Sequence, residues 1–408
     1  MIRPVSPSLS PNLQARDILL ALKLFFSPWY YFSNRGVKLL ELWFRNYFKV
    51  SHAISFNSGR SALFSILKSL SVGQGDEVLI QAFTCVAVPN SIIWTGARPV
   101  YVDIDESLTM DIKDLEKKIT KKTKVIIAQH TFGIPAKIDE IVNLAKKNGI
   151  MIIEDCAHTI GAKYRNKKLG SFGDAAFFSF GRDKAFSSVF GGMIITNNQK
   201  IGKLLRKIQR EENNSSFLWT LQQLFHPICF ALLLPLYDFF SIGKIMLVFF
   251  QKIKFLSLAV TGEEKLGSAK PFVKRMPNQL CLLALEQLKR IDAFNNRRVS
   301  VANFYIEEFR KSNFEIPYSS ATPFLRFPLL CEKREELILN LKKEHIYLDK
   351  WYSNVIDPKG INYKKIFYNP DSCPRAEFIA DRIINLPTNP TMKIENVQEL
   401  VFSIRKYV

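Results

Sequence analysis

The chain has 408 residues, a length that is too great for one small core and favours two domains or one large α/β domain with an appendage. Hydrophobic residues make up 47% and charged residues 23%, which is ordinary for a folded globular protein and excludes disorder as the main state. The 57 Lys and Arg exceed the 37 Asp and Glu and give a net charge of +20, so nucleotide phosphates, acidic lipid headgroups and nucleic acid are all admissible partners.

The N-terminal region contains an apolar stretch at 18–32, but Lys23 and Pro28 interrupt it and no small-residue cleavage site follows. We therefore predict no signal peptide. Six cysteines are scattered through the chain without a CxxC pair, which argues against a zinc site and against a disulfide framework. A reducing cytosol fits this cysteine usage best, and no metal is expected.

From about residue 51, short apolar runs alternate with amphipathic helical stretches, as is typical of a mostly parallel sheet covered by helices. The predicted strands are 77–81, 100–103, 124–129, 150–154, 175–179 and 193–196, and the predicted helices between them include 60–70, 112–119 and 137–148. After residue 292, a second, smaller α+β domain is indicated by a helix at 295–312, strands near 323–330 and helices near 333–344 and 375–383. The predicted domains are therefore 1–292 and 293–408.

Three local motifs are candidates for chemistry. The turn at 57–63 (Asn-Ser-Gly-Arg-Ser-Ala-Leu) opens a helix whose free N–H groups could bind a phosphate, although such a turn is also an ordinary helix cap. Asp155 and His158 follow a strand at the sheet edge where ligands bind, but a capping acid and a packed histidine explain them equally well. Lys184 follows a buried strand and could be desolvated and nucleophilic, whereas most lysines are solvated.

The order of these motifs resembles the DegT/StrS family of sugar aminotransferases, which are fold type I pyridoxal-phosphate enzymes. The resemblance covers most of the chain and includes Gly-Asp-Glu-Val at 75–78, Phe-Thr at 83–84, Pro-Val-Tyr-Val-Asp at 99–103, His-Thr-Phe-Gly at 130–133, Gly-Ser-Phe-Gly-Asp at 170–174 and Cys-Pro-Arg-Ala-Glu at 373–377. It implies a large domain with a mostly parallel, seven-stranded type of sheet, a smaller α+β C-terminal domain and a homodimer that shares its active site.

The resemblance also implies roles toward the cofactor, pyridoxal 5'-phosphate. The residues implied to hold its phosphate are Gly59, Arg60 and Ser179, the first two largely through backbone N–H groups, and Ser58 of the same turn is a further predicted cofactor-binding residue. Phe83 would stack on the pyridine ring, Asp155 would pair with the ring nitrogen and His158 would lie near the ring hydroxyl. Lys184 would carry the cofactor as a Schiff base and then move the substrate's α-proton, so Lys184 and Asp155 are the predicted catalytic residues.

Three features depart from the family pattern. Arg60 stands where a small Thr is common, and residues 272–275 read Phe-Val-Lys-Arg instead of the frequent Tyr-Asn-Tyr-Arg. The segment 213–268 is longer than is usual in the family and resembles an insertion.

The leading functional hypothesis is amino transfer from glutamate to a keto group on a nucleotide-linked sugar, in polysaccharide or glycan biosynthesis. One alternative is sugar dehydration or deoxygenation with the same cofactor, although relatives with that activity have His in place of Lys184. Another is a catalytically retired, membrane-associated binding module, which the intact Lys184, Asp155 and Ser179 oppose. Nucleic-acid binding is not expected, since the lysines are dispersed and no recognised module accompanies them. The predicted location is the cytoplasm, with a peripheral position at the inner face of the membrane as a variant.

The insertion 213–268 has two interpretations. It contains no charged residue from 213 to 237, but Pro227 and Pro235 would break a membrane-spanning helix, so a span is not expected. The segment either packs on the enzyme's own body or across a subunit interface, or it makes a peripheral membrane contact in which lysines 244, 252 and 254 meet anionic headgroups. The aromatic residues expected to enter the membrane surface are Trp219, Phe225, Phe230, Phe239, Phe240, Phe249 and Phe250.

Overall fold

The computed structural model describes residues 5–311, 314, 316 and 321–407. Residues 1–4 of the predicted large domain lie outside the described residues. The same holds for residues 312, 313, 315, 317–320 and 408 of the predicted small domain, and so for the last residue of the helix predicted at 295–312.

Helices and strands alternate through the first two hundred described residues and then give way to a mainly helical region. The strands are β1 (His52–Phe56), β2 (Glu77–Gln81), β3 (Thr84–Cys85), β4 (Arg98–Val102), β5 (Thr123–Gln129), β6 (Met151–Asp155), β7 (Lys163–Tyr164), β8 (Lys167–Lys168), β9 (Ala175–Ser179), β10 (Gly192–Thr196), β11 (Arg326–Leu330), β12 (Ile356–Asp357) and β13 (Ile383–Pro387). The α-helices are α1 (Ala15–Phe25), α2 (Arg35–Phe48), α3 (Gly59–Ser69), α4 (Ala87–Ile93), α5 (Ile112–Lys118), α6 (Ile138–Asn148), α7 (Gln199–Glu211), α8 (Phe217–Leu233), α9 (Ile242–Lys252), α10 (Gly262–Lys265), α11 (Asn278–Leu288), α12 (Ile291–Arg310), α13 (Arg334–Lys343), α14 (Pro374–Arg382) and α15 (Ile394–Tyr407).

The central sheet has seven strands in the order β1-β10-β9-β6-β5-β2-β4. Strands β9, β6, β5, β2 and β4 run parallel to one another, and β10 runs antiparallel to both of its neighbours, β1 and β9. The predicted α/β class with a mostly parallel sheet is confirmed. All six predicted strands are present, each within two residues of its predicted bounds, while the edge strand β1 was not predicted.

Helices cover both faces of the sheet because successive strand residues point to opposite sides. Val78 and Ile80 pack on the side of α3, with Leu63, whereas Leu79 between them packs on the other side with Ile141 of α6. Both faces are therefore buried. This explains why the strands are continuous apolar runs instead of alternating apolar and polar residues.

The C-terminal part packs against the part of the chain that carries the central sheet. Helix α12 begins at Ile291 and so crosses the predicted domain boundary after residue 292. Strands β11 and β13 form an antiparallel pair, and β12 pairs in parallel with β3, which sets Ile356 opposite Thr84 and Asp357 opposite Cys85. The core under α3 includes residues from both predicted domains. The division at 292 stays a prediction.

Candidate active site

A cavity of about 390 Å³ lies at the sheet edge where the parallel strands β6 and β9 end. Because parallel strands end at the same edge, the residues that follow them meet there. Asp155 ends β6, Ser179 ends β9 and Lys184 lies in the loop after β9, and all three line the cavity. Ser58 and Gly59, at the start of α3, line it as well. The three predicted motifs thus converge on one site.

The turn before α3 forms a crevice suited to an anion. Ser58 caps the helix by accepting the Ser61 N–H at 3.1 Å, and the two hydroxyls lie 2.7 Å apart. A Cβ added to Gly59 would lie 2.8 Å from the Cβ of Ser179, so only glycine leaves room between the helix and β9. The free N–H groups and the helix dipole attract negative charge at this point. The crevice therefore fits the phosphate of the cofactor.

Asp155 is a buried carboxylate in the wall of the cavity. It is 4% exposed and accepts the Ala157 N–H at 2.9 Å. Burial raises the pKa of Asp155 from 3.8 to about 6, against the opposing effects of that hydrogen bond, Lys184 and His130. A cationic ring nitrogen in the cavity would offset the cost of burying this charge. The site of Asp155 therefore fits its predicted role.

His158 forms part of the same wall and is held by two hydrogen bonds. Its Nδ1 accepts the Phe132 N–H at 3.1 Å, and its Nε2 lies 3.1 Å from the Tyr352 hydroxyl. Burial lowers the pKa of His158 well below 6.5. The neutral ring thus carries its proton on Nε2 and donates it to Tyr352, since Nδ1 is occupied as an acceptor. Its ring is stacked on that of Phe132 with a centroid distance of 5.7 Å.

The main chain at Lys184 is fixed by residues from distant parts of the sequence. Asn12 donates to the Lys184 carbonyl at 2.7 Å, and the buried Arg298 donates to the Asn12 side chain at 2.8 Å. The Nζ atom lies 4.4 Å from the centroid of the Trp351 ring. Burial lowers the pKa of Lys184 from 10.5, with Asp183 as the strongest opposing group. A lysine in this state is a better nucleophile than a solvated one.

Phe83 is not placed to stack on a ring in the cavity, so the prediction for it is corrected. Its side chain has no exposed surface and packs edge-on against Phe132 and Tyr352, with centroids 6.2 and 5.2 Å away. Phe83 has a φ of 64°, a left-handed turn of the backbone just before β3. The neighbours that face the cavity are Thr84 and Cys85. Phe83 is a core residue beneath the site.

Arg60 lines the cavity, but its guanidinium points to the end of the insertion. It forms an ion pair with Glu264 and donates to the Ala259 carbonyl at 2.6 Å. The Arg60 side chain is therefore engaged in protein contacts, and its backbone N–H remains the group that can contact a phosphate.

The end of the insertion, residues 257–265, forms one wall of the cavity and is called the wall segment below. Arg182 donates to the Ser257 carbonyl and, at 2.9 Å, to the Ser257 hydroxyl, which donates in turn to Gln223 at 2.8 Å. Arg182, in the loop after β9, and Arg60, at the start of α3, thus hold this segment beside the cavity. Its cavity-lining residues are Leu258, Ala259, Val260 and Lys265.

Arg326 organises the charged groups beside Lys184. It binds Asp183 at 2.7 Å and also pairs with Asp349, and its guanidinium lies 4.1 Å from the Trp351 ring centroid. Burial opposes ionisation of Asp183, but Arg326 and Lys184 hold the pKa of its carboxyl below 3.8. Asp183 is therefore a fixed negative charge next to the lysine.

Several residues of the cavity were not predicted from the sequence: Cys85, Asp183, Trp351, Tyr352 and Asp357. The last three reach the site through the pairing of β12 with β3, which no sequence spacing indicates. Asp183 had one available signal, its position directly before the predicted lysine.

The fold, the phosphate crevice and the buried lysine–aspartate pair define a pyridoxal-phosphate enzyme of fold type I. The sequence profile of the DegT/DnrJ/EryC1/StrS aminotransferase family matches residues 13–220 and 252–405, and the chain belongs to this family. The predicted family, cofactor and enzyme class are confirmed: the protein is a pyridoxal-phosphate-dependent aminotransferase. The unmatched stretch, 221–251, is shorter than the predicted insertion 213–268 and lies within it.

Curated relatives and solved structures are similar over nearly the whole chain. A GDP-perosamine synthase of Escherichia coli O157:H7 is 27% identical, with 98% of each chain covered. A UDP-N-acetyl-3-dehydro-alpha-D-glucosamine 3-aminotransferase of Acidithiobacillus ferrooxidans is 28% identical over 88% of this chain and 84% of its own. The structure of Helicobacter pylori PseC, an aminotransferase of pseudoaminic acid biosynthesis, matches with a TM-score of 0.75 at 20% identity, covering 100% of this chain and 98% of its own.

Proposed function

We propose that this aminotransferase moves an amino group from glutamate to the keto group of a nucleotide-linked sugar in polysaccharide or glycan biosynthesis, as a cytoplasmic homodimer. The observation that carries the proposal is the convergence of Lys184, Asp155 and the Gly59 turn on one cavity. The names of the two relatives, from Acidithiobacillus ferrooxidans and Escherichia coli, refer to nucleotide sugars, which supports this substrate class.

Each side chain has a defined task in this proposal. The bound cofactor supplies an electron-accepting ring that stabilises negative charge on the substrate carbon that loses its proton. Asp155 keeps the ring nitrogen protonated, and Gly59 and Arg60 bind the phosphate through their N–H groups. The lowered pKa of Lys184 favours the neutral amine, which can accept the proton from the substrate carbon. The wall segment and Trp351 limit the access of water to Lys184.

The two alternative functions have less support. A dehydratase of this family would have His in place of Lys184. A retired binding module would have no need of a buried lysine held by Asn12 and Arg298 beside a buried Asp155. These features together favour amino transfer.

Borohydride reduction of the purified holoenzyme, followed by peptide mapping, tests the assignment of Lys184. The cofactor should be found on the peptide that contains Lys184, and Lys184→Ala should lose the absorbance of the protein-bound cofactor. A matched control, the exposed Lys163→Ala, should keep both. Labelling of a different lysine would refute the assignment.

Incubation with glutamate and a panel of nucleotide keto-sugars tests the reaction. Glutamate should convert the bound cofactor to its amino form, seen as a change in absorbance, and one or more keto-sugars should reverse that change. A panel in which only keto acids reverse it would contradict the proposed substrate class. The mass of the holoenzyme by light scattering tests the homodimer.

A further inference from the structure

Away from the catalytic site, the outer side of α9 and its flanking turns is apolar and exposed. Ile242, Ile245 and Phe249 are spaced by three and four residues and share one side of the helix, while the buried Gly243 and Leu247 lie on the other. The exposed fraction is 62% for Ile245 and reaches 83% for Phe240. The apolar residues of this surface, called the α9 face below, are Phe239, Phe240, Ile242, Ile245, Val248, Phe249, Ile253 and Phe255.

The stretch that carries the α9 face has only lysines as charged residues, and the acids nearest to the face, Asp238, Glu344 and Glu399, lie beside Phe239 at its N-terminal end. Between residues 239 and 262 the sequence contains Lys244, Lys252 and Lys254 and no Asp or Glu. All three lysines are exposed. A two-fold contact centred on α9 would bring the three lysines of each copy together, and the nearby acids Asp238 and Glu344 already pair with His345 and Lys406. Anionic lipid headgroups supply the complementary charge, and the adjoining acyl region accepts the phenylalanines.

The buried side of α9 packs against the rest of the insertion. Leu247 and Leu256 pack against Phe230 of α8, against Leu234 just after that helix and against Leu13. Four members of the aromatic set expected from the sequence to enter a membrane are buried or partly buried, so the expectation does not hold for them: Trp219, Phe225, Phe230 and Phe250. Those side chains fix the position of α9 instead of contacting lipid.

The geometry favours a helix lying on a membrane over one that crosses it. Among the described residues, one helical segment, Phe217–Leu236, is long and apolar enough to span a bilayer, but 44% of its apolar window is buried inside the protein. It contains Pro227, and α8 packs against α1. The exposed apolar surface belongs to α9, which follows this segment.

We infer that the α9 face docks on a bilayer surface that contains anionic lipids, with α9 lying in the plane of the interface. Its aromatic and aliphatic side chains enter the headgroup region, and Lys244, Lys252 and Lys254 bind lipid phosphates. This docking is independent of the proposed amino transfer, because the residues of the α9 face lie outside the catalytic cavity.

Co-sedimentation of the holoenzyme with vesicles tests the inference. Vesicles of phosphatidylcholine alone are compared with vesicles that also contain phosphatidylglycerol, at low and at high salt. The apolar variant replaces Phe240, Ile245 and Phe249 by Ser, and its matched control makes the same replacement at three exposed apolar residues away from the face, Leu204, Leu339 and Phe378. The charge variant replaces the three lysines of the face by Gln, and its control makes the same replacement at the exposed Lys113, Lys117 and Lys121.

The wild type and both controls should sediment with the anionic vesicles and dissociate at high salt. The apolar variant should lose binding, and the charge variant should bind about a hundredfold more weakly, since each of the three lysines near an anionic surface contributes about fivefold. Unchanged cofactor absorbance shows that each variant is folded. The inference is overturned if the wild type does not bind anionic vesicles at low salt, or if both variants bind as it does. A change of molecular mass in the apolar variant with unchanged vesicle binding would assign the face to a contact between copies of the chain.

Discussion

Replacing Asp155 by Asn should make the cofactor-free protein more stable. The same replacement should sharply lower the activity of the holoenzyme. The pKa of Asp155 is raised from 3.8 to about 6, chiefly by burial. A rise of about two in the pKa corresponds to a free-energy difference of about 3 kcal/mol, because each pKa unit is worth about 1.4 kcal/mol. A group whose pKa is raised on folding contributes stability that is fully present below its unfolded pKa and is lost as pH rises through its folded pKa. The ionised Asp155 therefore destabilises the empty site above about pH 6.

The Asn side chain removes that charge and can still accept the Ala157 N–H, which Asp155 binds at 2.9 Å. In denaturant unfolding of cofactor-free protein, the variant should be more stable than the wild type by up to about 3 kcal/mol at about pH 8, and the difference should become small by about pH 4. In the holoenzyme, turnover should fall by orders of magnitude with the cofactor still bound, because the phosphate contacts are intact. Equal stability of the two cofactor-free proteins at both pH values would refute the reasoning, as would near-normal turnover of the variant.

Three further substitutions test the supports of the site. Glu154→Ala removes the acceptor of four hydrogen bonds in the core and should lower the free energy of unfolding by at least about 3 kcal/mol, measured in urea. Gly59→Ala places a Cβ 2.8 Å from Ser179 and should weaken cofactor binding by at least about tenfold, measured by absorbance titration. Arg60→Ala leaves the buried Glu264 without its ion-pair partner and so loosens the wall segment. It should raise KM for the sugar substrate and the rate of proteolysis in the wall segment, with little change in cofactor affinity. A loss of cofactor binding would instead indicate that the guanidinium contacts the phosphate.

The catalytic motifs were predictable because a parallel sheet imposes a simple geometry. Asp155 and Ser179 end neighbouring parallel strands, so their order along the chain already indicates that they meet at one edge. Phe83 shows where this reasoning fails. A strand end can be located within a residue or two from its apolar run, but which side chain faces the cavity depends on a local backbone turn. The left-handed φ of Phe83 sends its ring into the core and leaves Thr84 and Cys85 at the site.

The aromatic wall could not be predicted for a different reason. Trp351 and Tyr352 belong to a short segment with no clear helical or strand period. The pairing of β12 with the two-residue strand β3 brings this segment to the cavity, where Trp351 contacts Lys184. Pairing between such short strands is set by tertiary packing, and local sequence carries little information about it. The role of Arg326 could not be predicted either, because its partners Asp183 and Asp349 come together only in the folded chain.

The predicted insertion 213–268 contains one part that the family profile matches and one part that it does not. The family profile resumes at residue 252, so the wall segment lies in the matched region, whereas all of α9 except Lys252 and most of α8 fall in the unmatched stretch 221–251. The wall segment is bound to Arg60 and Arg182, which adjoin Gly59 and Lys184, and so it belongs to the catalytic site. The α9 face makes no such contact. Replacing the whole of 213–268 would therefore disturb catalysis and membrane docking together, whereas point substitutions on α9 separate them. A loss of vesicle binding with unchanged kcat in such variants is the result expected if location and chemistry are carried by different parts of the insertion.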